Sequence, residues 1–208
     1  MEYASYKYIY PPRPEKSVHH SSLGLFVEDY IAQPKLNGSL MMVYTDGKSL
    51  HLMNRHKTTL SCKIPKEELL ALHRGTGWMV LCGEYMNKAK KDEQGKLWNH
   101  KFVVFDIVVY NNDYLLGTTF DERYDLLREL YPDNLVKPHI HSISNNCFRV
   151  NSIRYSFANM YYDIVKHDMY EGIVMKKGIA KLQNGMIQQQ VNVNSQVKCR
   201  KPTKNYLF

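Results

Sequence analysis

The sequence predicts an α+β fold built largely from antiparallel sheet. Asp46-Gly47 between two apolar runs is the pattern of a β-hairpin. Two further apolar runs read as buried strands, Trp78–Cys82 leading into Gly83-Glu84 and Phe102–Val109 with Asp106 embedded in it. Helical segments are interspersed without the regular strand–helix alternation of a doubly wound parallel sheet, and there is neither a P-loop nor a G-x-G-x-x-G.

The 208 residues suit one large domain, with residues 1–24 as an extended N-terminal arm and 25–208 as the domain proper. Hydrophobic residues make up 44%, enough for a sizeable core, and charged residues 23%, which excludes a disordered class. No apolar run approaches the roughly 18 residues of a membrane span, and the N-terminus lacks the apolar core of a secretory signal, so no membrane partner is expected. Cys62, Cys82, Cys147 and Cys199 are scattered without a C-x-x-C pair. This argues against a zinc site or disulfide framework and for a reducing, cytoplasmic compartment. The formal charge of +8 favours a polyanionic partner such as nucleic acid or nucleotide phosphates. The nine histidines show no metal-ligand spacing and read as surface residues.

Pro11, Pro12 and Pro14 exclude helix and central strand from the arm, which reads as a strap packed on its own domain. Residues 25–35 read as a strand leading into Lys35-Leu36-Asn37-Gly38. A lysine at a glycine bend between strands is a candidate nucleophile; otherwise it is a surface lysine beside a turn. Residues 39–45 and 48–55 form the hairpin, with a type I′ turn at Asp46-Gly47 that returns Arg55 towards Lys35. Pro65 to Arg74 reads as a short helix stopped by Gly75. Residues 88–99 are polar and read as a mobile loop. Asn111-Asn112-Asp113 makes a turn after the central strand. Thr119-Phe120-Asp121-Glu122 is a capping box, followed by Phe120, Tyr124, Leu127 and Leu130 at helical spacing and stopped by Pro132. Residues 133–147 read as irregular, with a strand near 147–151. Ser152 is read as the start of a second helix that buries Ile153, Phe157, Met160, Tyr161 and Ile164. A strand follows Glu171, and Val197-Lys198-Cys199-Arg200-Lys201 closes the chain.

Lys35-x-x-Gly38, Arg55, Gly83-Glu84-Tyr85, Phe105-Asp106, Glu171-Gly172-Ile173-Val174-Met175-Lys176 and Lys198-Cys199-Arg200 stand in the order of motifs in the covalent nucleotidyltransferases. The chain thus resembles ATP-dependent DNA and RNA ligases and mRNA-capping guanylyltransferases over residues 33–201. The resemblance implies an ATP-grasp-like nucleotidyltransferase domain. Its Lys35 would attack the α-phosphate of ATP, release pyrophosphate and pass AMP to a 5′-phosphate end of RNA or DNA. By the same resemblance Glu84 and Arg55 would hold the ribose, Phe105 (with Phe102 as the competing ring) would stack on the purine, and Gln33 would lie beside the base edge. Lys176, Lys198 and Arg200 would bind phosphates, and Glu171 would hold Mg2+. Asp106 is either part of this site or a structural acid, and Cys199 is read as packing on the opposite strand face.

Two positions depart from the family pattern. Asn37 stands where an Asp is usual, and Leu40 where DNA ligases and capping enzymes usually carry Arg. The Gly38-Ser39-Leu40 wording resembles RNA ligases, whereas the helix Thr119 to Leu130 resembles DNA ligases and capping enzymes. The chain ends about seven residues after Lys201, which leaves no room for the OB-fold domain that DNA ligases and capping enzymes carry. The expectation is an RNA ligase working without an OB domain or with a separate clamp subunit or OB-fold protein. A DNA ligase core, a GTP-using capping enzyme and a non-catalytic nucleic-acid-binding module are the competing readings.

Overall fold

The computed structural model describes residue 3 and residues 7–26, 29–185 and 191–202. Its strands are β1 (Arg13–Ser17), β2 (Tyr30–Leu36), β3 (Ser39–Thr45), β4 (Leu50–Met53), β5 (Met79–Tyr85), β6 (Phe102–Tyr110), β7 (Asp113–Tyr114), β8 (Leu135–Lys137), β9 (Ile140–Ser142), β10 (Cys147–Val150), β11 (Tyr170–Lys177) and β12 (Asn192–Arg200). The helices are α1 (Lys66–Leu70), α2 (Phe120–Leu130) and α3 (Phe157–Ile164), with a 3-10 helix at His20–Leu25.

Two sheets result. A four-stranded sheet has the order β1-β12-β11-β2, and a larger sheet runs β4-β3-β5-β6-β10-β9-β8 with β7 paired to β6. Among the described residues, β1 with β12 and β6 with β10 are the parallel pairs, and the others are antiparallel. The architecture is therefore the predicted α+β fold with largely antiparallel sheet.

Alternation along the strands sorts the side chains. Ala32 and Leu36 of β2, Ile173 and Met175 of β11, and Val197 and Cys199 of β12 turn into a core shared with Phe157, Met160, Tyr161 and Ile164 of α3. Cys199 thus packs on the core face, as expected. In the larger sheet, Met41, Val43, Leu81 and Val104 meet Leu69 of α1 and Leu127 of α2, while Met42, Tyr44, Val80 and Cys82 face the other way.

Several local expectations are corrected. The Asp46-Gly47 hairpin closes by a four-residue loop, because Thr45 pairs with Leu50 and Asp46 Oδ1 accepts the backbone N–H groups of Lys48 (2.9 Å) and Ser49 (2.6 Å). The Asp side chain competes with the tight turn for those donors. The two-residue turn with both φ positive is instead Asn111-Asn112 (φ 51° and 73°), joining Tyr110 to its partner Asp113. The strand expected over 25–35 is confirmed only from Tyr30. Leu25 ends the 3-10 helix, a helical turn the proline-rich arm was not expected to contain, and residues 27 and 28 lie outside the described residues. Residues 13–17 of the arm form an edge strand, a position proline tolerates.

The helix after Pro65 ends at Leu70, where Arg74 Nη1 takes over capping by donating to the carbonyl of Ala71 at 2.7 Å. α3 starts at Phe157 rather than Ser152, because Ile153 bridges to Ala32 and extends the chain. Residues 133–147 contain the β8–β9 pair, which a sequence of mixed polar residues conceals. The polar segment 88–99 is tied down: Lys137 Nζ pairs with Asp92 (2.7 Å) and Glu93 (3.1 Å), and Trp98 is buried. The capping box at Thr119 and Glu122 is formed as predicted.

Candidate nucleotide site

A cleft of about 580 Å³ lies between the two sheets, and all nine sequence-predicted site residues line it. Its floor is one face of the four-stranded sheet. Across β11, Val174 is registered with Gln33 on β2 and Lys198 on β12, and Gly172 with Lys35 and Arg200. Residues two apart share a face, so Gln33, Lys35, Lys176, Lys198 and Arg200 all project from the side opposite the core.

Glu171 breaks this parity and still reaches the cleft. The β2–β11 register shifts between Tyr170 and Gly172, and such an irregularity re-aims a side chain. Gly172 makes it possible: its φ is +140°, and a Cβ there would stand 1.9 Å from the carbonyl oxygen of Cys199. Glu171 Oε2 accepts a hydrogen bond from Lys35 Nζ and lies 3.6 Å from Arg200 Nε. The side chains of Lys35, Glu171 and Arg200 are 21%, 30% and 24% exposed, so this ion cluster opens to the cleft. Lys198 Nζ donates to the carbonyl of Pro14 at 3.3 Å, and its pKa is lowered by burial and by Arg200, Lys35 and Arg13.

The larger sheet supplies the opposite wall. Glu84 Oε1 accepts the backbone N–H of Gly38 at 3.0 Å. Gly38 is required less for its turn than for this approach, since a Cβ would lie 2.4 Å from the carbonyl oxygen of Tyr85. Burial and the charge of Glu171 push the Glu84 pKa up, while Lys35 and the Gly38 N–H oppose the rise, leaving it at about 7. Arg55 stands in the turn just beyond β4, exposed, with its Nε donating to His56 Nε2 at 3.0 Å. The Phe105 ring is partly exposed to the cleft, whereas its competitor Phe102 is buried in the core against Gly83.

Gln33, only 2% exposed, has a fixed polarity. The carbonyl of Phe105 can only accept, so the amide nitrogen faces it at 3.3 Å, and Nε2 also reaches Ser152 Oγ at 3.1 Å. The oxygen end of the amide is left for the cleft. Ser152 was not singled out in the sequence, where it read only as a helix start.

Lys176 is 5% exposed, with Nζ 4.4 Å from the Phe120 ring centre and 5.1 Å from that of Phe105. Burial lowers its pKa from 10.5 to about 8, against the attraction of Asp106. The folded chain therefore holds this proton less tightly than the unfolded chain. Stability rises with pH between about 8 and 10.5, and the penalty is complete below 8. Lys176→Met, which keeps the volume between the two rings, is expected to raise stability at pH 7 by on the order of 1–3 kcal/mol and to flatten stability between pH 8 and 10. Urea titrations across that range check it. An unchanged pH slope would mean that the ammonium is not what strains the fold.

Asp106 is a structural acid. Its carboxylate takes Arg123 Nε (2.8 Å) and Nη2 (3.2 Å) in a bidentate pair, with side chains 3% and 2% exposed. Arg123 Nη1 continues to the carbonyl of Thr118 at 2.8 Å. This strut ties α2 to β6 directly behind Phe105 and Lys176.

Among the described residues no group of three or more His, Cys, Asp or Glu could hold a metal by protein ligands alone. Of the carboxylates lining the cleft, Asp106 is taken by Arg123 and Glu84 by the Gly38 N–H, and Glu171 fits a magnesium ion that takes most of its oxygens from water and a bound polyphosphate. No described helix is long and apolar enough to cross a membrane.

No protein-family model and no curated protein sequence matches the chain. Solved structures do. A mycobacterial DNA ligase D complexed with ATP superposes with a TM-score of 0.63 at 20% identity, over 91% of this chain and 60% of that one. Chlorella virus DNA ligase-adenylate gives 0.56 at 16% identity, over 93% and 68%. A Lig E DNA ligase gives 0.54 at 16% identity, over 93% and 70%. The chain spans about 60% of the ligase D structure it matches. At these identities the likeness is one of fold: the two sheets and their cleft have the architecture of a ligase nucleotidyltransferase domain.

Proposed function

We propose that this chain is a covalent nucleotidyltransferase, an ATP-dependent polynucleotide ligase that works through a lysyl-AMP intermediate. The observation that carries the reading is the position of Lys35, on the cleft floor against Glu171 with Arg200 and Lys198 beside it. In the first step Lys35 Nζ loses a proton, with Glu171 as the base in contact. Its lone pair forms a bond to the α-phosphorus, and the bond from that phosphorus to the bridging oxygen breaks to release pyrophosphate. Lys198 and Arg200 stabilise the charge that gathers on the phosphate oxygens. Magnesium, held by Glu171 and the nucleotide, would neutralise phosphate charge.

Phe105 and Gln33 take the base, and Glu84 and Arg55 the ribose. The fixed polarity of Gln33 favours ATP. Its free oxygen can accept from the adenine amino group, whereas guanine would set an acceptor, O6, against it. AMP then passes to a 5′-phosphate end that a 3′-hydroxyl attacks. RNA ends are preferred in this reading on the wording Gly38-Ser39-Leu40, and a clamp subunit or OB-fold protein is the expected partner.

The test is incubation with α-labelled ATP or GTP and magnesium, followed by denaturing electrophoresis and peptide mass mapping. The expected result is an AMP adduct on Lys35, with GTP labelling lower by about tenfold or more. A GMP adduct would turn the reading to capping. No adduct from protein first stripped of bound nucleotide would favour a nucleic-acid-binding module. Once the AMP adduct is established, nicked RNA and nicked DNA compared side by side decide the preferred ends.

A further inference from the structure

The N-terminal arm contributes a cation that the motif pattern does not include. Arg13 lines the cleft beside Pro12 and Pro14. It stands on β1, the edge strand that runs parallel to β12. The arm is latched there through Lys198, whose Nζ donates to the carbonyl of Pro14, the residue after Arg13. Among the described residues no carboxylate lies within ion-pair distance of Arg13, and none pairs with Lys198; Lys35 and Arg200 share Glu171.

The cations therefore run outward from the nucleophile: Lys35 and Arg200 at Glu171, then Lys198, then Arg13. Like charges gathered on one wall repel one another, and the pKa of Lys198 is lowered by burial first and by Arg200, Lys35 and Arg13 after it. An anion of several charges relieves that repulsion. Two strands across from β12, Gln33 on β2 and the neighbouring Phe105 offer an amide and an aromatic face, with the Lys176 ammonium 5.1 Å from the Phe105 ring centre. A ligand with an aromatic ring and a polyanionic tail can set the ring on Phe105 and Gln33, at the β2 side of the sheet, and the tail along Lys198 and Arg13, at the β1 side.

We infer that Arg13 binds the β- and γ-phosphates of the nucleoside triphosphate, so that the N-terminal arm completes the site for the leaving pyrophosphate. The inference rests on the nucleotidyl-transfer reading. As the bond from Nζ to the α-phosphorus forms and the bond to the bridging oxygen breaks, the electron pair leaves with pyrophosphate. Arg13 stays protonated and stabilises that departing charge without exchanging a proton.

The experiment compares equilibrium binding of AMP and of α,β-methylene-ATP, which cannot release pyrophosphate, to the wild type, Arg13→Ala and Arg13→Lys, each with magnesium. Arg13→Ala is expected to weaken the triphosphate analogue by about tenfold and to leave AMP binding unchanged, with Arg13→Lys in between. The rate of lysyl adduct formation at low ATP should fall in parallel. Equal losses for AMP and the analogue, or no loss for either, overturn the assignment. So does weakened binding of a nicked duplex with nucleotide binding intact, which would give the arm to nucleic acid. The two readings fail separately. A wild type that prefers the analogue through Arg13 but forms no adduct keeps this assignment and loses nucleotidyl transfer. An adduct that forms equally well in Arg13→Ala does the reverse.

Discussion

Lys35→Ala is expected to form no nucleotide adduct, a loss of about 10⁴-fold or more in adenylylation, because no other group can replace a nucleophile that enters the covalent intermediate. Its fold should survive. The lysine side chain is 21% exposed, and its removal leaves Glu171 free to pair with Arg200, already 3.6 Å away. Stability should therefore change by less than about 1 kcal/mol, as for other open ion pairs. Lys35→Arg is the sharper control. A guanidinium keeps the pairing to Glu171 but stays protonated, so it cannot attack. Labelling with α-labelled ATP, read beside melting curves, separates the chemical loss from unfolding. Labelling that persists in both variants would move the nucleophile to another lysine of the cleft, with Lys198 and Lys176 the first to test.

The second large effect is on stability. Asp106→Ala removes one half of a buried bidentate pair and leaves the Arg123 guanidinium, 2% exposed, without its carboxylate. A buried charge stranded in this way costs about 3–5 kcal/mol. Replacing both partners, Asp106→Leu with Arg123→Met, should cost much less, because no charge is then left behind. The same strut supports Phe105 and Lys176, so ATP binding should weaken in Asp106→Ala even at temperatures where the fold persists. Urea unfolding of Asp106→Leu, Arg123→Met and the double variant measures the coupling. A double variant as unstable as the sum of the singles would show that the pair acts through packing alone.

The sequence made the site motifs easier to read than the partners that position them. Glu84 stood out because it ends an apolar run, where a charge needs a reason, Lys35 because it sits at a glycine bend between strands, and Glu171 through the motif it opens with Gly172. Arg123 did not, since an arginine on a capped amphipathic helix reads as solvated. Two signals pointed to it: position 123 lies three residues after Phe120 and four before Leu127, on the inward stripe, and Asp106 in the middle of β6 required a buried cation. Ser152 was hidden for another reason. Its role depends on Gln33 lying 119 residues away in the chain, and no local pattern encodes that proximity. The central strands β5 and β6 were legible because continuous apolar runs leave few alternatives. The β8–β9 pair was not, because its strands are three residues long and β8 is largely exposed, so pairing rather than periodicity defines them. The Asp46-Gly47 hairpin was correct in its strands and wrong in its turn, since a side-chain oxygen can satisfy the same N–H groups in a longer loop.

The pairing of β1 with β12 also sets an order of assembly. Every strand from residue 39 to residue 150 belongs to the larger sheet, which can be completed from one continuous stretch of chain. The four-stranded sheet draws on both flanks of that stretch: Lys35 finds Gly172, and Arg13 finds Asn192. Those contacts close long loops, the kind that topology makes slow to form. A growing chain can therefore finish the larger sheet while Lys35 on β2 still lacks β11 and β12, the strands that bring Glu171, Lys198 and Arg200 beside it. The floor of the cleft is completed only once the chain has been made as far as Arg200.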